Sequence, residues 1–194
     1  GKDASTIAKF KEDLVTHNGV PDHITDAAID MSPAFIRGME TAFPNAAITF
    51  DKFHIMKILG AAVDEVRKKE IREQEILRGT KYLWLKNRDH LTVNQKELLA
   101  RLESLPRSNI RTLCAFHIRE NFQLIYKEST RQGFEALLKK WYFWATHSRI
   151  PPIIAAAKTI KRHWAGIVRW YTSKIDNGIL EGLNSLIQAA KAKA

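Results

Sequence analysis

Three carboxylates stand where chemistry could use them: Asp30, Asp51 and Glu181. Asp30 closes the run His23-Ile24-Thr25-Asp26-Ala27-Ala28-Ile29-Asp30, and Asp51 closes Ala46-Ala47-Ile48-Thr49-Phe50-Asp51. Both runs read as short strands. Each leans apolar and follows a break, Asn18-Gly19-Val20-Pro21 before the first and Pro44-Asn45 before the second. Ligands gather at the carboxyl ends of parallel strands, and a short carboxylate held there suits a hard cation such as Mg²⁺. The plainer alternative is an aspartate that caps the next helix or opens a turn. Glu181 falls in the first turn of a helix expected after Asp176-Asn177-Gly178, with Asn184 and Gln188 on its face. The helix dipole alone favours an acid at that place.

His54 follows Asp51 by three residues. Such a pair could ligate zinc, but no second pair at metal spacing lies nearby. His54 is better read as orienting a neighbouring carboxylate or phosphate from behind. A half-buried histidine at a helix start is the bland alternative. The single cysteine, Cys114, excludes an internal disulfide framework and a multi-cysteine zinc site.

The elements that must position these groups come in two kinds. Residues 5–18 read as a helix. Ser32 can cap another, with Pro33 at its first position and Phe35, Met39 and Ala42 on one face up to about Phe43. The order helix, strand, helix, strand predicts an α/β segment with parallel strands over 1–54. Beyond His54 the pattern turns helical, with Ile55, Leu59, Ala62, Val63 and Val66 on one stripe. The run Thr80–Leu85 reads as an irregular linker or short strand. Helices are expected at 94–104, 108–127 and 130–147, then one from Pro151-Pro152 to about Tyr171, and a last one over 176–194. Trp141, Trp144 and Trp164 lie on apolar stripes and are expected in the core. Trp164 also follows Lys161-Arg162-His163, where it could stack on an unpaired base.

Charge divides the chain the same way. Of 194 residues, 31 are Lys or Arg and 21 Asp or Glu, a net +10 that points to a polyanion. Residues 55–175 hold 24 basic and 11 acidic residues, residues 1–54 hold 5 and 8, and residues 176–194 hold 2 of each. The sequence divides accordingly into 1–54, a basic helical insertion 55–175, and 176–194. No apolar run approaches the roughly 20 residues of a membrane span. The polar, mixed-charge first residues do not resemble a secretory signal, and a reducing cytoplasm fits.

The runs Ala28-Ile29-Asp30-Met31-Ser32, Phe43-Pro44-Asn45-Ala46 and Asp51-Lys52-Phe53-His54 also form a text. It continues with Asp64-Glu65-Val66-Arg67, Leu77-Arg78-Gly79-Thr80-Lys81-Tyr82, Leu85-Lys86-Asn87 and Asn177-Gly178-Ile179-Leu180-Glu181-Gly182-Leu183-Asn184. In this order, end to end, the chain resembles the DDE-class insertion-sequence transposases of the L-three family of bacterial elements. The resemblance implies a mostly helical α/β chain: part of a ribonuclease H-like fold, with a large all-helical insertion before the helix of the catalytic Glu. It matches Asp30 to the second catalytic Asp and Glu181 to the Glu, both as metal ligands. Asp51 is the alternative second Asp, and Asp51-x-x-His54 is similar to a signature of Mutator-like relatives. Asn184 closes the motif around Glu181.

By the same resemblance the first Asp lies upstream, so this chain alone is expected to be inactive. The intact enzyme would use Mg²⁺, with Mn²⁺ a substitute, for DNA cleavage and strand transfer at element ends. It would assemble as a homo-oligomer on DNA in the bacterial cytoplasm, at the nucleoid. Phosphate contacts would fall to Arg67, Lys68, Lys69, Arg72, Lys158, Lys161, Arg162 and Arg169, with Trp164 beside them. The competing readings are an inert DNA-binding or interaction module and a ribonuclease H-like nuclease that does not transpose.

Overall fold

The computed structural model describes residues 4–104 and 110–175. Along the chain run α1 (Ala4–Thr16), β1 (Asp26–Ile29), α2 (Pro33–Ala42), β2 (Ala47–Phe50), α3 (Lys52–Glu70) and α4 (Lys81–Leu85). They are followed by α5 (Val93–Ser104), α6 (Arg111–Ile125), α7 (Arg131–His147), α8 (Pro151–Arg162) and α9 (Trp164–Ser173). The chain forms two compact units. One contains the residues up to Ile55 and those from His163 on; the other is Met56–Arg162. The described chain is thus mostly helical, with one small sheet.

The first unit is built on two parallel strands. Their register runs from Asp26↔Ala47 to Ile29↔Phe50. Bonds from Ala47 N to Thr25 O (2.8 Å) and from Asp51 N to Ile29 O (3.3 Å) continue the ladder at both ends. Pro33 opens α2 after Ser32, in extended backbone, where a missing N–H costs nothing. Met39, Ala42 and Phe43 are buried, and Ile7 and Leu14 of α1, Ala27 and Ile29 of β1 and Ile48 of β2 pack on them. Thr49, on the alternate parity of β2, donates its hydroxyl to Ser173 Oγ of α9 (3.0 Å). Gly166 lets α9 come close. A Cβ there would lie 2.5 Å from the Phe50 ring and 3.2 Å from Ile48 O.

The regular elements of the second unit, among the described residues, are all helices. Trp84 meets Phe116 edge-on (5.6 Å, 76°) and Phe122 meets Trp141 likewise (4.6 Å, 71°). Such pairs add about 0.5–1.5 kcal/mol each beyond burial. Two buried charges brace the helices. Glu70 accepts from Arg111 N (2.6 Å), Thr112 N (2.8 Å) and Thr112 Oγ1 (2.6 Å), and so caps the first turn of α6. Arg119 donates to Leu85 O (3.1 Å), Lys86 O (3.2 Å), Asn87 Oδ1 (3.0 Å) and Glu120 Oε1 (2.7 Å), which fixes the Leu85-Lys86-Asn87 turn.

Three expectations are corrected. Thr80–Leu85 is neither linker nor strand: α4 begins at Lys81. Thr80 Oγ1 donates to Leu77 O (2.6 Å) and accepts from Trp84 Nε1 (2.8 Å), and Leu83 and Trp84 are buried, so packing overrides the strand-like composition. The helix expected from Pro151 to about Tyr171 is broken at His163 (φ −107°, ψ 21°), where the chain also changes unit. The His163 ring meets Phe50 edge-on at 4.9 Å. Finally, Trp141 is 3% exposed but Trp144 is 38% exposed, off the core face of α7. Among the described residues no helix is long and apolar enough to cross a membrane.

Candidate active site

β1 and β2 end in step, and their last residues, Ile29 and Phe50, are register partners. Asp30 and Asp51 therefore follow at the same rim on neighbouring strands, whose spacing is about 4.8 Å. Each carboxylate is steadied by the backbone ahead of it. Asp30 Oδ1 accepts from Ser32 N (2.8 Å), and Asp51 Oδ1 accepts from Phe53 N at the start of α3 (3.0 Å). The capping role and a ligand role are thus compatible: one oxygen is fixed in each case, and the other keeps its own lone pairs.

Asp51 is 2% exposed, and among the described residues its Oδ2 has no hydrogen-bond partner. The Nδ1 of His54 lies 3.8 Å away, too far for a hydrogen bond, and is likewise buried without a partner. A buried carboxylate oxygen left unpaired costs about 1–3 kcal/mol or more, so such an atom invites a cation or a donor. Oxygen ligands of this kind fit a hard cation. Among the described residues no three His, Cys, Asp or Glu side chains converge on one point. Glu181 and Asn184 lie outside the described residues.

The sequence offered no sign of a second carboxylate contact. Asp26, at the other end of β1, accepts from Arg169 Nη2 of α9 (2.6 Å), 143 residues away. That bond, with one from Thr25 Oγ1, holds the Asp26 carboxyl below its ordinary range. Arg169, expected on phosphate, is thus paired within its own unit.

The other expected DNA contacts lie in the helical unit and are unequal. Arg67 is buried, with Nε 2.9 Å and Nη2 2.8 Å from Asp64 Oδ1. Burial works against the Asp64 carboxylate, but Lys68 and Arg67 outweigh it and keep the group below its ordinary range. Lys68 stays exposed while reaching Asp64 (2.9 Å), and Lys69 reaches Glu65 (2.7 Å) with both side chains exposed. Arg72, Lys158, Lys161 and Arg162 are exposed. Lys161 Nζ lies over the Tyr142 ring (5.6 Å). Arg162 donates to Thr159 Oγ1 (3.0 Å). Trp164, in the first unit, is half-buried.

Comparison with known proteins adds a family. A model of the ISL3-type DDE family, described as a transposase, matches residues 1–194. The transposase for insertion sequence element IS1001 of Bordetella parapertussis is 26% identical over 202 residues, covering 100% of this chain and 48% of that protein. The transposase for insertion sequence element IS1557 of Mycobacterium tuberculosis, in strains CDC 1551 and H37Rv, is 29% identical over 112 residues, 58% of this chain and 24% of that protein. The chain spans about half the length, or less, of these relatives. No solved structure matches it.

Proposed function

The chain belongs to the ISL3-type family of DDE transposases, and from that premise we propose that the intact protein cuts DNA at insertion-sequence ends and joins it to a target, with Asp30 and Glu181 among its catalytic carboxylates. The observation that carries this reading is the pair of backbone-held aspartates, Asp30 and Asp51, at one rim of two parallel strands. In this reading the α/β unit is part of a ribonuclease H-like fold, with Glu181 a further member of its carboxylate set.

Asp30 and Glu181 would hold the cation, Mg²⁺ or Mn²⁺. When bound, it supplies Lewis-acid activation of the attacking oxygen and neutralises charge on the leaving oxygen. Asp51, with one oxygen fixed by Phe53 N, lies beside His54 at the rim, and either His54 orients a neighbouring carboxylate or phosphate there or Asp51 serves as a ligand itself. The exposed cations of the helical unit hold the phosphate backbone, and the protein works as a homo-oligomer assembled on DNA in the bacterial cytoplasm. In this reading a further carboxylate of the intact protein completes the site, and the chain alone does not cut DNA.

The test is Mg²⁺-dependent nicking of element ends by the full-length enzyme. Asp30→Asn and Glu181→Gln should each lower the rate by about 10²–10³ or more, the scale of losing one group that stabilises transition-state charge. Full activity in Asp30→Asn with loss in Asp51→Asn moves the role to Asp51. Full activity in all three variants ends the reading; nicking by the isolated chain that Glu181→Gln abolishes keeps Glu181 catalytic and overturns only the inertness of the chain alone.

A further inference from the structure

The core face of α7 carries Phe134, Leu138, Trp141 and Ala145, all buried. Its opposite face carries Lys139, Lys140, Phe143, Trp144 and His147, all exposed. Phe143 is 64% exposed and Trp144 38%. Two large rings turned to solvent on a helix whose apolar stripe is already filled are not needed for packing. Phe143 and His147 are stacked on each other, with centroids 3.9 Å apart and planes 26° apart. His147 Nδ1 lies 2.7 Å from Phe143 O, so this two-ring platform is held in place before anything binds. Residues 136–149 contain no Asp or Glu. Among the described residues neither Lys139 nor Lys140 is paired with a carboxylate.

We propose that this face of α7 is a stacking surface for unpaired DNA bases, with Lys139 and Lys140 on the adjoining phosphates. The chemistry selects that partner. Flat exposed rings attract the π-faces of bases, and ammonium groups attract the backbone between them. A duplex keeps its base faces hidden, so it satisfies the lysines but not the rings. A second copy of the chain docking through this same face would bring Lys139 and Lys140 against like charge. The surface deepens the DNA reading above, on which it rests, by naming the form of DNA that the helical unit takes.

The experiment measures anisotropy of a labelled oligothymidylate of about twenty nucleotides, and of a duplex of equal length, with the 194-residue chain. Phe143→Ala with Trp144→Ala should weaken single-strand binding at least about tenfold, the scale of lost base–aromatic stacking. Duplex affinity should stay within about twofold. Lys139→Gln with Lys140→Gln should weaken both forms. Trp144→Phe keeps a ring, so it should hold single-strand affinity within about threefold while losing much of the tryptophan quenching on binding. All these side chains are exposed, and unchanged urea unfolding of each variant checks that the fold is kept.

Single-strand affinity that survives the double alanine change, in a chain that still binds DNA, overturns the stacking surface and leaves the DNA reading intact. A chain that binds neither form overturns both. Self-association that the double change abolishes without altering DNA affinity assigns the face to a second copy and overturns the proposal.

Discussion

The two units use charge in opposite ways. Met56–Arg162 holds 22 Lys and Arg against 11 Asp and Glu, while the remainder holds 9 against 10. In the helical unit many acids face inward or sideways to their own chain: Glu70 caps α6, Asp64 holds Arg67 and Lys68, and Glu120 holds Arg119. What remains outside is a surplus of cations. In the α/β unit the arrangement is inverted. Its described cation on α9, Arg169, is taken by Asp26, and two aspartates end the strands with only backbone donors on one oxygen each. Carboxylates are concentrated where a cation would be wanted and ammonium groups where phosphate would be. On the function proposed above, holding a polyanion and acting on it would place contradictory demands on charge, and this division would meet them separately.

The largest effect is expected at Arg119, where burial works against the charged form and the adjacent Glu120 carboxylate favours it. Arg119→Met leaves two carbonyls and Glu120 without their donor. It should cost the helical unit about 3 kcal/mol or more in urea unfolding, as breaking a buried charged network does. A cost below about 1 kcal/mol would mean that the Leu85-Lys86-Asn87 turn stands without it.

Gly166→Ala tests the other unit. The new methyl must displace Phe50 or α9, at about 1–3 kcal/mol. Amide exchange should quicken in β2 and α9 and stay unchanged in α6 and α7. Uniform acceleration would show that the units unfold together.

Next in size, changing Lys158, Lys161 and Arg162 to Glu should weaken duplex binding about tenfold at low salt and flatten its salt dependence. Asp30→Asn should leave affinity within about twofold. Equal losses in the two variants would erase the division of labour.

The smallest effect is a pH dependence in the α/β unit. The Arg169 bond lowers the folded-state pKa of Asp26 below the ordinary 3.8. Stability from this pair is therefore fully present above the unfolded value and is lost as pH falls through the lowered one. Protection of α9 amides should drop in that acid window in the wild type. In Asp26→Asn the protection should be lower at neutral pH and show no such step.

The α/β unit was the more legible in sequence. Strand runs ending at Asp30 and Asp51 contain β1 and β2, because Gly, Pro and Asn breaks bound them, although the first strand begins at Asp26 after a tight helical turn at Pro21–His23. Helices expected at 94–104, 108–127 and 130–147 appear as α5, α6 and α7. What stayed hidden depends on partners far along the chain. Trp84 makes α4 by burial against Phe116, and His163 breaks a helix that periodicity carries straight through. Arg67 and Arg169 read as surface cations because neither Asp64 packing nor the distant Asp26 shows in composition. Trp144 looked apolar-faced because its neighbours at helical spacing include the buried Trp141.

The bonds from Thr49 to Ser173 and from Asp26 to Arg169 span 124 and 143 residues. They set an order of assembly. A chain emerging from the ribosome has both strands in hand early, yet the helix that covers them is made only after Met56–Arg162 has been synthesised. The helical unit is continuous in sequence and closes short loops, so it folds fast, whereas the sheet waits on a closure more than a hundred residues long. Until then β1 and β2 have α1 and α2 packed on them but lack α9, and a sheet of two strands is marginal with so little cover. Refolding should accordingly show two phases, with helical signal gained before the amides of β2 are protected.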